Sequence, residues 1–349
     1  MAEQRVVTIH DVAKRAGVAV SSVSRALSNH PDVSERMRTR VQRAADALGY
    51  APDPAAQSLR SGSSRTVGLV VRDFANPLFA EIINGAEQAL TDAGYMLLVM
   101  NSGGDSTREL ERITLLAHRR VDALLLSSIS ETSPATLKTL ARFRKPVVLL
   151  DRDFGNLAVS NVGFDHATGV REATADLLAL GHRRIALVTG SPEIRPTRER
   201  LRGFRQAYED AGVPISKALE VNGVFSESFA REKTRQLLQQ STRKRPTALI
   251  AGGIQSTVGM LEGLSEMSLR PGTDVALVVC DDLPWLRVLG PAISVVTRDA
   301  EGMGLAAASQ VLGLIGGAKP NSIVLPTSYA RRETSNAPQP ARAVANTST

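Results

Sequence analysis

The sequence predicts a small all-α head followed by a larger α/β body in which parallel strands form two doubly wound sheets. Over the first fifty positions, apolar residues recur at helical spacing. From Thr66 onward, short β-rich runs alternate with amphipathic stretches, as expected of βαβ units. The chain has 349 residues, enough for two or three domains with cores of their own. Residues 66–333 are long for a single sheet, so we expect two lobes.

The head reads as three short helices. Thr8 is placed to cap the first helix with Asp11 three residues on, and Gly17 ends it. The second helix carries a short apolar stripe: Val20, Val23, Ala26 and Leu27. The third begins at Ser34 and ends at Gly49. Two helices joined by a tight glycine-containing turn and closed by a third are typical of a helix-turn-helix unit.

Between head and body, residues 52–65 are predicted to form a linker, with room for a helical turn or two. Their composition shifts to proline, alanine, serine and glycine, and Pro54 suits the first turn of a short helix. We expect this segment to order only against a partner. At the other end of the chain, residues 334–349 are rich in proline, alanine and threonine and are predicted to be a disordered tail.

The body contains seven β-rich runs, which we predict to be strands: Val67–Val71, Leu97–Met100, Ala123–Leu126, Val147–Leu150, Ile185–Val188, Ala248–Ala251 and Val275–Val279. Amphipathic stretches lie between them, among them Leu78–Leu90 and Val170–Leu180, the second ended by Gly181. In parallel sheets covered by helices on both faces, ligands bind outside the carboxyl ends of the strands. Residues that directly follow each run are therefore candidates for a binding site.

The charge of the chain is concentrated in the head. The formal net charge is +7, and residues 1–65 hold ten lysines and arginines against six acids. A basic head on a nearly neutral body suggests a polyanionic partner for the head. Aromatic residues make up 4% of the chain, which argues against stacking on single-stranded nucleic acid.

The remaining composition predicts a soluble, cytoplasmic protein. The single cysteine, Cys280, excludes an intramolecular disulfide and a cysteine-based zinc site. The first residues are polar where a signal peptide needs an apolar region, and no apolar run approaches the ~18 residues of a membrane span.

Six motifs carry a resemblance to a known family: TIHDVAKRAGVAVSSVSRAL at residues 8–27, LGYAPDPAAQSL at 48–59, NPLFAEI at 76–82, GHRRI at 181–185, RLRGF at 200–204 and CDD at 280–282. In order and spacing they resemble the LacI/GalR family of bacterial repressors from residue 6 to about 333. The resemblance implies a helix-turn-helix DNA-binding domain at residues 1–51. It implies a two-lobed, periplasmic-binding-protein-like body at 66–333 that binds an effector and dimerises. Such proteins bind palindromic operator DNA as homodimers and sense a small molecule in the cleft between the lobes.

The resemblance also implies which residues approach DNA. Val20, Ser21 and Arg25 match the groove-reading positions, whereas the following match positions near phosphates or otherwise close to DNA: Thr8, His10, Ser22, Ser24, Ser34 and Tyr50. Ala56, Gln57 and Leu59 match the hinge helix, in which the leucine wedges into the minor groove. Ala19 replaces the serine that usually caps the second helix. The alternatives are a solvated face for that helix and a Leu59 that packs on the body.

In the body, Arg200 and Asp281 match the family's two ionic effector ligands, and the other matched cleft positions are Asn76, Phe79, Ser127, Asp151, Phe225 and Arg298. A purely structural Arg–Asp pair is the alternative. Ile254 stands where members that bind neutral sugars usually carry an acid, and Arg298 where many carry glutamine. Since Arg198 also lies near Arg200, we expect a basic cleft and an anionic effector, such as a sugar acid or a phosphorylated sugar.

Other functions find little support in the residues. The five histidines form no close ligand set, and the glycine pairs fit neither nucleotide-binding motif. We therefore predict no metal, no cofactor and no catalytic residue. Two alternatives stay open: a stand-alone small-molecule-binding protein without DNA binding, and an enzyme on the two-lobed fold. The sequence leaves open whether the assembly is a dimer or a tetramer.

Overall fold

The computed structural model describes residues 7–28, 30–51, 62–155, 157–288 and 290–338, in two compact units that meet between Arg65 and Thr66. The hinge residues Ala56, Gln57 and Leu59 lie outside the described residues, so their predicted roles stay predictions.

The first unit contains the three predicted helices, α1 (Ile9–Ala16), α2 (Val20–Leu27) and α3 (Glu35–Leu48). At the start of α1, the Asp11 carboxylate accepts hydrogen bonds from the backbone N–H of Thr8 at 2.9 Å and from its hydroxyl at 2.8 Å. Ser34 caps α3 by accepting from the N–H of Met37 at 3.4 Å. Glycines with positive φ follow α1 and α3, as the sequence predicts.

The head has its own small core. Its fully buried side chains are Val12, Val23 and Val41. Val20, Leu27 and Tyr50 pack against it from the edge. Because each helix contributes apolar residues to this cluster, the exposed faces of the helices are free to carry polar and basic side chains.

The second unit divides into two lobes, each built on a sheet of six strands. Lobe 1 contains β1 (Thr66–Val71), β2 (Met96–Asn101), β3 (Ala123–Leu126), β4 (Val147–Leu150), β5 (Ser160–Phe164) and β11 (Ser322–Leu325), in the order β11-β5-β4-β3-β1-β2 and all parallel. Lobe 2 contains β6 (Ile185–Thr189), β7 (Glu220–Asn222), β8 (Ala248–Ala251), β9 (Ala276–Cys280), β10 (Ser294–Arg298) and β12 (Thr327–Ala330), in the order β12-β10-β9-β8-β6-β7. There only β12 is antiparallel to its neighbour.

Helices cover both faces of each sheet. Those of lobe 1 are α4 (Pro77–Asp92), α5 (Ser106–His118), α6 (Pro134–Arg142) and α12 (Ala300–Ile315). Those of lobe 2 are α7 (His166–Ala179), α8 (Arg195–Asp210), α9 (Glu227–Leu238), α10 (Ile254–Glu266) and α11 (Trp285–Val288). Each sheet is thus buried between two apolar clusters, which explains why most of its strands read as continuous apolar runs.

The chain passes between the lobes three times, after β5, after β10 and after β11. The two-lobed, doubly wound fold class is confirmed, and all seven predicted runs are strands. Five strands were not predicted: β5, β7, β10, β11 and β12. β7 has only three residues, and β5 includes Asn161 and Gly163, two residue types that strands disfavour.

The predicted disordered tail begins too early. Thr334 and Ser335 are fully buried. The hydroxyl of Thr334 donates to the carbonyl of Leu277 at 2.6 Å and accepts from the N–H of Ser294 at 2.9 Å. These residues therefore belong to lobe 2, while residues 339–349 lie outside the described part of the chain. Within the described ranges, no helix is long and apolar enough to cross a bilayer.

Candidate functional site

A cavity lies between the two lobes at the carboxyl ends of their strands. It contains about 590 Å³ of space not filled by protein, part of it open to solvent. All eight residues predicted from the sequence line it: Asn76, Phe79, Ser127, Asp151, Arg200, Phe225, Asp281 and Arg298. Ile254, noted as a departure, also lines the cavity. The structure therefore brings together side chains that are up to about two hundred residues apart in the chain.

Two aspartates occupy corresponding places in the two lobes. Asp151 directly follows β4 and Asp281 directly follows β9, and each of these strands is third from one edge of its sheet. Both residues have positive φ, 55° and 90°. The N–H of Asp151 donates to the carbonyl of Val162 at 2.8 Å, and that of Asp281 donates to Val296 at 3.0 Å. A left-handed residue directly after each strand, still hydrogen-bonded to the neighbouring strand, thus presents one carboxylate to the cleft from either lobe.

Arg298, the last residue of β10, joins these two carboxylates. Its Nε lies 2.5 Å from Oδ1 of Asp281, and its Nη1 lies 3.6 Å from Oδ2 of Asp151. The guanidinium also stands 5.1 Å above the ring of Phe164. Burial by itself would lower the pKa of Arg298, but the carboxylates of Asp281 and Asp151 outweigh it and raise that pKa. Arg298 is therefore a neutralised bridge between the lobes.

Asp151 has a second buried partner, His166, at the start of α7. Nε2 of the imidazole lies 2.7 Å from Oδ2 of the aspartate. Burial lowers the pKa of His166 to about 4, so near neutral pH the ring is uncharged. Since the carboxylate only accepts, Nε2 carries the proton and donates it. Burial would raise the pKa of Asp151, but His166, Arg298 and Arg152 together hold it below its usual range.

Three further arginines, Arg72, Arg152 and Arg200, line the cavity, and Arg152 is held by hydrogen bonds to backbone carbonyls. Arg152 donates from Nε to the carbonyl of Ser128 at 2.5 Å and from Nη1 to that of Asp151 at 2.8 Å. Arg72 stands 5.0 Å above the ring of Phe225. Burial and the nearby Arg152 lower the pKa of Arg72 to about 10, so it stays charged.

Arg200 is the most isolated of these cations. It is 4% exposed, and its Nε has no hydrogen-bond partner in the described part of the chain. Within those same ranges, neither Arg200 nor Arg72 forms an ion pair with a carboxylate. The cavity therefore holds two guanidinium groups without a directly paired carboxylate among the described residues, although Asp73 attracts the charge of Arg72 and Arg200 lies against the Cys280 thiol.

The source of this positive charge differs from the sequence expectation. Arg298 was expected to supply it but is neutralised by Asp281. Arg198 does not line the cavity and instead pairs with Glu131 at 2.7 Å. Arg72 was missed, although it directly follows the predicted strand Val67–Val71, where the strand-end rule places ligands. The position of its guanidinium in the cavity depends on contact with the Phe225 ring, which belongs to the other lobe. No local sequence pattern indicates such a contact.

In the head, the structure places the predicted DNA-contacting residues on the helices as follows. Ser21 and Arg25 are exposed on α2, while Val20, Ser22 and Ser24 are half-buried. Thr8, His10 and Ser34 are exposed, and Tyr50 is half-buried against the head core. Arg25 forms no ion pair among the residues described. Ala19 stands at the N-cap of α2 and supplies no capping side chain, as its type predicts.

Two of these side chains already make contacts within the head. The hydroxyl of Thr8 already donates to Asp11, and Val20 shares its surface with the core. Ser21 and Arg25 are therefore the groove-reading candidates whose side chains are most available. No group of three or more His, Cys, Asp or Glu side chains that would suit a metal ion is found in the described ranges.

A helix-turn-helix head joined to a two-lobed α/β binding body is the architecture of a ligand-responsive DNA-binding regulator. Residues 8–53 match the family described as bacterial regulatory proteins, lacI family. Residues 64–333 match the periplasmic binding proteins and sugar binding domain of LacI family. The chain belongs to the LacI family of transcriptional regulators, with a DNA-binding head and an effector-binding body.

Individual relatives agree with this assignment. The ribose operon repressor of Escherichia coli (strain K12) is 31% identical over 298 residues, which cover 85% of this chain and 89% of the relative. The HTH-type transcriptional repressor PurR of Proteus mirabilis is 32% identical, with 88% and 90% covered. Among solved structures, the lac repressor dimer bound to operator and the anti-inducer ONPF superposes with a TM-score of 0.82 at 26% identity, covering 95% of this chain and all of that one.

Proposed function

We propose that the effector is a small anionic metabolite, a sugar acid or a phosphorylated sugar. Its binding between the lobes changes the affinity of a homodimeric repressor for a palindromic operator. The observation that carries the proposal is the charge balance of the cavity. Four arginines line it, Arg72, Arg152, Arg200 and Arg298, against two aspartates.

The two aspartates are already satisfied by the protein. Arg298 contacts both of them, and Asp151 also has Arg195 at 3.2 Å and His166 at 2.7 Å. Arg152 donates to backbone carbonyls. A mostly buried guanidinium that has no carboxylate paired with it is costly, and a ligand carboxylate or phosphate relieves that cost through charge-assisted, often bidentate hydrogen bonds. Arg72 and Arg200 are therefore the proposed anion ligands.

The rest of the lining suits a hydroxylated ligand with an apolar face. Phe79, Phe225 and Ile254 supply apolar surface, and Asn76 and Ser127 supply polar groups. Few polar groups on a mainly apolar wall fix the orientation of a small ligand. This combination favours a sugar-sized acid over a bare inorganic anion.

A panel of metabolites tests the proposal. Thermal unfolding and calorimetry are measured with glucose, ribose, gluconate, glucose 6-phosphate and 6-phosphogluconate. We expect at least one acid to raise the unfolding temperature and the neutral sugars to have little effect, since only a ligand that binds the folded state stabilises it. Arg72→Leu is expected to weaken binding of the acid. Arg235→Leu, at an exposed position of α9 outside the cavity, is the matched control. Binding of neutral sugars alone would contradict the proposal.

For the DNA-binding side, we propose that residues 1–51 read the operator, that 52–65 form the hinge with Leu59 at the operator centre, and that 66–333 bind effector and dimerise. The exposure of Ser21 and Arg25 on one helix supports α2 as the element in the major groove. Selection of binding sites from a random duplex library is expected to give two inverted half-sites. For each tenfold rise in salt concentration, the binding constant should fall by about 0.9 log units per phosphate neutralised.

Arg25→Ala is expected to cost about 1–3 kcal/mol of specific binding, as for the loss of a bidentate base contact. Gln42→Ala, on the exposed surface of α3, is the control. Equal operator binding by both variants and the unaltered chain would rule out α2 as the reading helix. A chain that selects no sequence at all would instead favour a stand-alone binding protein.

We also propose that the body binds its ligand without chemical turnover. The relatives are transcriptional regulators. Recovery of each bound metabolite unchanged after long incubation is the expected result, and conversion of one of them would favour an enzyme.

A further inference from the structure

Helix α8 begins without a capping side chain of its own. Its N-cap residue is Ile194, whose side chain cannot accept a hydrogen bond, and a proline, Pro196, follows in the first turn. The first N–H groups of a helix have no partner within the helix and need one from elsewhere. The sequence around this helix start therefore leaves the N–H of Arg195 in need of an acceptor.

The acceptor comes from the other lobe. Glu131 lies in the lobe 1 loop between β3 and α6, and its Oε1 accepts from the N–H of Arg195 at 2.7 Å. Its Oε2 accepts from Nη2 of Arg198, on the first turn of the same helix, also at 2.7 Å. The Glu131 side chain is 2% exposed, whereas that of Arg198 is 45% exposed. This is a buried carboxylate at a positive helix end, where its charge is favourable, and not a surface ion pair.

The same turn of α8 faces the cavity. Ile194 and Pro196 belong to the cavity wall, and Arg200 lies one turn further along the helix. Arg195 adds a second link to lobe 1, with Nη1 3.0 Å from the carbonyl of Phe164. The start of α8 is thus held by lobe 1 on one side and presents a proposed anion ligand on the other.

We propose that Glu131 is a positioning residue for effector binding. It caps α8 across the cleft, holds the two lobes in the arrangement described here and fixes the helix that carries Arg200. When the lobes separate, the N–H of Arg195 loses its partner, so the bond favours closure. This role rests on the proposed function only in assuming that the effector binds in the cavity.

The test measures the separation of the lobes directly. Spin labels are attached through Lys138→Cys in α6 and Ser216→Cys in lobe 2, both at exposed positions, since the native Cys280 is buried. Labelled chains are mixed with an excess of unlabelled chains, so that only distances within one chain are read by pulsed electron resonance. Neither effector nor DNA is required.

Glu131→Ala is expected to raise the ratio of separated to closed lobes by roughly tenfold, because a helix cap and a charge-assisted hydrogen bond are lost together. Glu131→Gln keeps one acceptor oxygen, so its ratio of separated to closed lobes is expected to lie between those of the unaltered protein and Glu131→Ala. Glu193→Gln removes an exposed acid beside the same helix start and is expected to leave the distances unchanged. Thermal unfolding is recorded in parallel, and a merely structural residue would lower the unfolding temperature without separating the lobes.

The proposal is overturned if Glu131→Ala gives the same distances as Glu193→Gln. If Glu131→Ala does not fold, the same comparison is made with Glu131→Gln, and unchanged distances overturn the proposal again. If no acid in the metabolite panel binds, the lobe-distance measurement can still be made and interpreted. If the lobe distances are unchanged, the proposal of an anionic effector is not affected. The two proposals are therefore tested separately.

Discussion

The burial of His166 predicts that the protein loses stability in mild acid. In the folded state burial lowers the pKa of His166 from 6.5 to about 4. Below about pH 6.5 the unfolded chain therefore takes up a proton that the folded chain does not, so the free energy of unfolding falls as the pH drops towards 4. At 1.36 kcal/mol per pKa unit, this single side chain accounts for a loss of up to about 3 kcal/mol.

His166→Gln isolates this contribution, because the glutamine amide nitrogen takes the place of the imidazole Nε2 that contacts Asp151, donates in the same way and does not titrate. Urea unfolding from about pH 7 to about pH 4.5 is expected to give a steep decline for the unaltered protein and a shallower one for the variant. Burial also lowers the pKa of His182, which weakens both proteins equally and cancels in the comparison. Parallel declines in the two proteins would refute the assignment of a neutral, buried imidazole at position 166.

Four other substitutions, in two matched pairs, follow from packing and charge. A β-carbon at Gly203 of α8 would lie 2.1 Å from the backbone carbonyl oxygen of Ala167, so Gly203→Ala is expected to cost about 1–3 kcal/mol in urea unfolding. At Gly313 the nearest atom that an added β-carbon would meet is 3.6 Å away, so Gly313→Ala is expected to stabilise the protein by up to about 1 kcal/mol. If both substitutions changed the free energy of unfolding in the same direction, the close packing of α7 on α8 would be contradicted. Arg298→Met is expected to cost about 3–5 kcal/mol because it leaves buried carboxylates without their shared partner. Arg287→Met, at an exposed ion pair, should change unfolding little, and a similar loss in both would exclude the bridge.

Much of the fold was predictable because its signals are local. The runs that became β1, β3, β4, β6, β8 and β9 are apolar throughout, since both faces of the central strands are buried. The edge strand β7 has only three residues, and β12 pairs antiparallel with a strand that was itself missed. Neither leaves a pattern that distinguishes it from a loop.

The candidate site divides in the same way. Asp151 and Asp281 were found because each follows a strand, which is a property of the local sequence. The sequence could not show which arginine is neutralised, because Arg298 lies 147 positions from Asp151 in the chain. In the same way, Glu131 lies 64 positions from Arg195, whose N–H it accepts. Pairing over such distances is decided by how the two lobes pack, so the sequence indicates the charged groups but not their balance.

The close contact of α12 with α4 determines where the lobes pivot. A β-carbon at Gly304 would lie 2.1 Å from the carbonyl oxygen of Ile82, so the two helix backbones touch and α12 moves with lobe 1. The preceding strand β10 belongs to lobe 2 and ends at Arg298. The swivel at this crossing is therefore confined to Asp299, next to the arginine that joins the two cleft carboxylates. The residue that links the cleft carboxylates of the two lobes is thus also the last residue of lobe 2 before the chain crosses into lobe 1.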